Sequence, residues 1–221
     1  MCGIPSTNPS PILQEDKSAL NRLCLKSFVN AFREVSPHMI FLNDFCDMTT
    51  SDMIKSVVPF KYEVQPSNIG INETMLKAYE IANEQDDDVL FQECDYVYRK
   101  NTGKDLIEGM SELGLVSPYD HLNFYLDPVL HSDQVILKLV GDTHWRTTER
   151  NTMTFAVKNK VFKDNYETFK KYGYLDADVW YDLLKKGHPL YVPIPSIATH
   201  MAKDFLAPST DWRQIWEELL P

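Results

Sequence analysis

Two short apolar runs that each end in acid constrain this chain more than any other feature. Met39-Ile40-Phe41-Leu42 runs into Asn43-Asp44, and Val89-Leu90-Phe91 runs into Gln92-Glu93-Cys94-Asp95. Short runs of this composition read as buried strands. Helical patterns stand before and between them. Leu20, Leu23, Cys24, Phe28, Ala31, Phe32 and Val35 recur at helical spacing over 16–35, and Ser36-Pro37 stops them. A short helix capped within Thr49-Thr50-Ser51 and closed by Pro59 comes next, then a strand at 62–65, a turn at 66–70 and a helix over 72–82. Strands alternating with helices predict βαβ units, hence an α/β fold with a mostly parallel central sheet. Such sheets bind ligands beyond the carboxyl ends of their strands, where Asp44, Glu93 and Asp95 stand. Residues two apart in extended chain share a face, so Glu93 and Asp95 are neighbours if the strand persists to its end. Two carboxylates so placed suit a hard divalent cation that also holds phosphate oxygens. A strand that merely ends in solvated acids has the same signature.

Composition narrows the classes further. The 221 residues suit one domain, and 43% apolar with 12% aromatic content suffices for a globular core. With 22 basic against 32 acidic side chains the formal charge is −10, which disfavours nonspecific binding to nucleic acid or anionic membrane. Cys2, Cys24, Cys46 and Cys94 lack CxxC spacing and read as reduced thiols. No signal-peptide pattern and no apolar run long enough to span a bilayer is present, so the expectation is a soluble, cytoplasmic protein without a membrane partner.

The second half is less regular. A helix is expected near 104–113, followed by Val116-Ser117-Pro118-Tyr119-Asp120-His121. An alternating strand follows at 134–140, then the polar stretch 143–150 around Trp145, a strand at 152–157 and a helix through Lys170. Asp176 opens a helix ended by Gly187, and a strand at 190–192 is closed by Pro193 and Pro195 before Thr199-His200. The last helix begins near Asp211.

Taken in order, these motifs resemble GT-A fold glycosyltransferases of the family-two-like group, most of all its short stand-alone members, often phage-encoded. The likeness rests on Val89–Tyr96 of the acid strand, Tyr119-Asp120-His121, His144-Trp145-Arg146-Thr147-Thr148, Thr152-Met153-Thr154-Phe155-Ala156, 193–200 and Asp211-Trp212. It implies a Rossmann-like nucleotide-diphospho-sugar transferase fold over 1–221, with 1–100 as the nucleotide-binding half and 101–221 as the acceptor and catalytic half. Pro5, Ser6, Thr7 and Asn8 are similar to the family's first-strand loop. Asp44 matches the acid that reads the nucleotide base, and Asn68, Gly70 and Asn72 match an Asn-x-Gly element near the nucleotide. Glu93 and Asp95 stand where the family has a metal-binding DxD, Glu93 replacing the first Asp, and His200 matches a late metal-ligating histidine. Asp120, His144, Arg146 and Thr154 fall near the donor. Leu175-Asp176-Ala177-Asp178 lies where the family keeps a Glu-Asp pair eleven residues before Gly187, which leaves Asp176 as candidate base and Asp178 as its alternate.

The resemblance implies a Mn²⁺- or Mg²⁺-dependent, inverting transfer from a nucleotide-sugar donor, UDP-linked first. The acceptor stays open between a glycan and a modified DNA base, and a phage-encoded member would work in the host cytoplasm. Some sites keep plainer readings: His200 as a loop histidine bonded to backbone, Arg146 as the surface flank of a core Trp145, and Asp176 as a helix cap. Two other functions remain. A sugar-phosphate nucleotidyltransferase shares the βαβ half, although 6–14 contain no Gly, Lys or Arg for the phosphate-cradling loop that class needs. A non-catalytic nucleotide- or glycan-binding module would have lost the acid pair's chemistry.

Overall fold

The computed structural model describes residues 9–127 and 135–220. The expectation for Pro5, Ser6, Thr7 and Asn8 lies outside the described residues, as does the start of the strand expected at 134. Helix α1 (Lys17–Ala31) starts at Asp16, whose Oδ1 accepts from the Ala19 N–H at 2.8 Å. Strand β1 (Met39–Asn43) lies parallel to β2 (Tyr62–Pro66), in register from Met39 with Tyr62 to Asn43 with Pro66. Helix α2 (Met48–Val57) between them is capped by Asp47, ahead of the threonines expected to do so, because its carboxylate also takes the Thr49 and Thr50 hydroxyls. Helix α3 (Ile71–Asn83) then leads to β3 (Val89–Phe91).

Beyond β3 come β4 (Tyr96–Tyr98), α4 (Thr102–Leu113), β5 (Leu115–Val116) and the short α5 (Asn123–Leu126). Strands β6 (Leu137–Val140) and β7 (Thr143–Thr148) form a hairpin, and β8 (Phe155–Val157) follows. The single helix expected to run through Lys170 is two, α6 (Asn159–Asp164) and α7 (Tyr166–Tyr172), broken at Asn165. Helix α8 (Asp176–Lys185), β9 (Leu190–Ile194), β10 (Ala198–His200) and α9 (Trp212–Glu217) complete the described chain.

Six strands form one sheet in the order β3-β8-β5-β9-β7-β6, while β1 with β2 and β10 with β4 make two-stranded pieces. The fold is the expected α/β type, with a mixed central sheet. Pairing is parallel between β1 and β2 and between β5 and β9, where helices supply the crossover. The other four pairings of the six-stranded sheet are antiparallel, so among the described residues it is mixed where a mostly parallel one was expected. Strands β6 and β7 are joined by the two-residue turn Gly141-Asp142, which permits no other direction.

Two apolar clusters hold the layers. One gathers α1 and Trp216 of α9 with Tyr96, Val97, Tyr98 and Trp145. The other places Tyr79, Phe162, Phe169, Trp180 and Leu183 against Phe91 and Phe155. Trp145 is fully buried, and helix α4 crosses it so closely that a Cβ on Gly109 would lie 2.4 Å from its ring. Close-packed interiors accept no such overlap, so the approach requires glycine.

Candidate active site

Strand β3 ends at Phe91, two residues before the first of the two acids. Strand alternation therefore does not bring Glu93 and Asp95 together. They sit in the tight connection of 92–95 between β3 and β4, and β10 completes the site. Its antiparallel register sets His200 opposite Tyr96, with the two rings stacked at 5.2 Å. From there the imidazole Nε2 lies 3.1 Å from Asp95 Oδ2, and the Met201 N–H donates to the Asp95 carbonyl at 2.8 Å. Burial opposes charge on both partners, yet their hydrogen bond wins. It holds the Asp95 carboxyl below the usual range and lifts His200 above its own.

Glu93 is held by hydroxyls from two other segments. Tyr174 donates to Oε1 at 2.9 Å, and the Thr154 hydroxyl, which accepts the Glu93 N–H, lies 3.4 Å from Oε2. Burial first, then the Asp95 charge, pushes the Glu93 carboxyl up to about 7, against the opposing pull of His200 and Tyr174. Asp176 adds to that rise, so its carboxylate belongs to the same electrostatic neighbourhood. Tyr96 further ties the acid loop to the segment before β8 through its hydroxyl bond to Thr152, 2.6 Å.

Among the described residues, no three His, Cys, Asp or Glu side chains are arranged as a ready-made metal cage. The donor set nonetheless fits a hard cation of the Mg²⁺ or Mn²⁺ kind. An acid lifted by a like charge beside it, next to an aspartate paired with an imidazole, is an arrangement that phosphate oxygens and water can complete.

The other candidate residues fall into three places. Asp44 is only 2% exposed, and its Oδ1 accepts from Ser67 Oγ and from the N–H groups of Ile69 and Gly70 at 2.9–3.1 Å. Burial is outweighed by those donors, and the carboxyl titrates below its usual range. Its work in this structure is to hold the turn over 67–70, in which Asn68 has φ 51° and accepts from the Phe45 N–H at 3.1 Å. Asn72, at the start of α3, accepts from the backbone N–H of Tyr174, the residue whose phenol holds Glu93, at 3.3 Å.

Arg146 is neither a surface flank nor a free anion contact. It is 2% exposed, ion-paired to buried Asp120 at 2.5 Å and stacked over the Phe124 ring at 3.3 Å. Tyr125 donates to the other Asp120 oxygen at 2.5 Å. His144 is exposed on β7, paired with Leu139 and Ile194 in the sheet. Asp176 and Asp178 both lie in the first turn of α8, exposed, and the cap position belongs to Leu175 rather than Asp176.

Sequence reasoning missed Tyr174, which carries no charge and stands in no acidic pattern. His121 follows Asp120 in the Tyr119-Asp120-His121 motif. Asn123 donates to its Nδ1 at 3.0 Å, and burial with the nearby His200 and Arg146 charges brings its pKa down to about 4. That ring is neutral and offers its Nε2–H as a donor.

No family model and no curated protein matches the sequence. Solved structures do. A 4-diphosphocytidyl-2C-methyl-D-erythritol synthase from Anaerococcus prevotii superposes with a TM-score of 0.51 at 10% identity, over 89% of this chain and 83% of that one. A197 from STIV gives 0.44 at 16% identity over 77% and 90%. A UTP-bound UGPase from Acinetobacter baumannii gives 0.42 at 10% identity over 77% and 74%. Likeness at such identity speaks for fold alone. The chain shares a Rossmann-like α/β architecture with that synthase.

Proposed function

We propose that this protein is a divalent-cation-dependent glycosyltransferase that takes its sugar from a nucleotide-linked donor, UDP-linked first. The observation that carries the reading is the meeting of Glu93 and Asp95, in the half-buried connection between β3 and β4, with His200 of β10, and with Asp176 felt at Glu93 from the start of α8. In this reading 1–100 serve the nucleotide and 101–221 the acceptor, a glycan or a modified DNA base. The base would lie against the exposed side of the 67–70 turn, where Phe45 and Ile69 are 59% and 47% exposed, while Asp44 braces the turn from beneath. Asp95 and His200, with Glu93 beside them, would hold Mn²⁺ or Mg²⁺. Bound there, the cation would offset the charge gathering on the departing diphosphate.

The acceptor hydroxyl attacks the anomeric carbon from the face opposite the diphosphate, the bond from that carbon to the phosphate oxygen breaks, and the hydroxyl proton passes to Asp176. The anomeric centre inverts. A carboxylate at an exposed helix start reaches an incoming acceptor, and its partial desolvation against the donor would raise its basicity. Calorimetric melting with UDP and Mn²⁺ tests the first step, since a ligand selective for the native state raises the melting temperature. No shift with any nucleoside diphosphate, with or without metal, overturns the reading.

A second reading, a nucleotidyltransferase, is favoured by the overlay on the synthase. Incubation with CTP or UTP and a sugar phosphate separates the two. Pyrophosphate release supports nucleotidyl transfer, whereas nucleoside diphosphate release from a nucleotide-sugar supports glycosyl transfer. Release of neither, with binding retained, leaves a non-catalytic module.

A further inference from the structure

The turn that enters α8 joins three parts of the molecule that lie far apart in sequence. Gly173 has φ 56°, and a Cβ there would stand 2.3 Å from Asn72 Oδ1, so only glycine lets α3 approach this closely. Its carbonyl accepts the Tyr79 hydroxyl at 3.1 Å. The next residue, Tyr174, donates its N–H to Asn72 Oδ1 at 3.3 Å and its phenol O–H to Glu93 Oε1 at 2.9 Å. Helix α3 thus grips the turn through Asn72, its second residue, and through Tyr79 two turns further on, and the turn reaches across to the acid loop. Two residues further on, Asp176 opens α8.

We propose that Tyr174 is a positioning residue for the cation site. Its phenol fixes one oxygen of Glu93, and its backbone bond to Asn72 links that carboxylate to the turn over 67–70, beside which a nucleotide would lie. The same short link sets where Asp176 enters the site. The inference rests on the proposed function, because it gives Glu93 a cation to meet. A partner that orients a ligating side chain without touching the ion typically governs metal affinity by about 10–100-fold.

Binding of Mn²⁺ in the presence of UDP, followed by the electron paramagnetic resonance signal of free Mn²⁺, tests this without turnover. Tyr174→Phe keeps the ring and the backbone bond and deletes only the donor. The expected result is Mn²⁺ affinity weakened about tenfold or more, with metal-free UDP affinity and metal-free melting temperature unchanged, which a merely structural role would not produce. Wild-type Mn²⁺ affinity in Tyr174→Phe overturns the inference and leaves the proposed function standing. Absence of Mn²⁺ binding by the wild-type protein, with and without UDP, overturns both. If Tyr174→Phe melts early, Thr154→Val supplies the same test by removing the hydroxyl at the other Glu93 oxygen. Weaker Mn²⁺ binding in that variant supports the inference, and unchanged binding overturns it.

Discussion

Asp44 shows how a buried carboxylate can organise a turn from beneath. Three donors converge on its Oδ1, so Asp44→Ala leaves two backbone N–H groups and a hydroxyl without their acceptor. A loss of about 1–3 kcal/mol is expected in urea denaturation, and Asn at this position, which keeps an acceptor oxygen, should lose less. The pH dependence has a definite sign. A carboxyl depressed in the folded state adds stability above its unfolded pKa of about 3.9, and that stability is lost as pH falls through the lower folded value. Wild-type stability should therefore drop more steeply than that of Asp44→Asn from about pH 4 downward. Arg146 poses the opposite problem. Arg146→Met strands buried Asp120 and should cost about 3–5 kcal/mol, and Asp120→Asn added to it should recover part of that by removing the orphaned charge. Should Arg146→Met keep full stability but lose nucleotide affinity, the pair belongs to the donor site and not to the scaffold.

At the scale of elements, the candidate site depends on a ribbon with no strong sequence signal. Strand β10 carries Ala198, Thr199 and His200, and β4 carries Tyr96, Val97 and Tyr98; each is three residues long, too short for a periodicity to declare itself. Their register alone places His200 beside Asp95. The helices were easier to read. Apolar spacing located α1, α3 and α8 closely, whereas the break at Asn165 between α6 and α7 is set by the Asn165 amide bonding back to the Val161 carbonyl. The close crossing of α4 over Trp145 makes an element-level prediction. Gly109→Ala would force the helix away from the sheet and should destabilise by about 1–3 kcal/mol, measured as a lower denaturation midpoint at unchanged slope. An unchanged midpoint would mean that the indole can move aside.

The whole molecule decides the chemistry, because the charge of Asp176 reaches Glu93 only when α8 packs near the acid loop. Asp176→Asn should leave UDP-sugar binding intact and cut kcat by about two to four orders of magnitude, with a product of inverted anomeric configuration by NMR. Stability should change by no more than about 0.3–1 kcal/mol, since the substitution removes one negative charge from a helix start and no cap. A retained configuration would sink the single-displacement role. Chelation gives a second whole-molecule test. Stabilisation by UDP at a hundred times its dissociation constant should approach about 2.7 kcal/mol with Mn²⁺ present and collapse on adding EDTA. Chelator should leave the ligand-free melting temperature unmoved, because Asp95 and His200 already pair with one another. Among the described residues no helix is long and apolar enough to cross a membrane.

The sequence by itself determined the α/β class and the order of the main helices and strands in the first half, and it singled out the acids proposed to meet a cation. It could do so because burial imposes periods of 3.6 and 2 on apolar residues, and because strand ends accept charges that strand interiors refuse. What only the tertiary structure decided was which of those groups meet and which are used elsewhere. Glu93 and Asp95 are neighbours through a loop, not through strand alternation, and Asp44 and Arg146 spend their charges on a turn and on Asp120. Tyr174 enters through a contact between residues 81 positions apart. Such pairings depend on sheet register and on close approach at single glycines, and neither leaves a periodic trace in the chain.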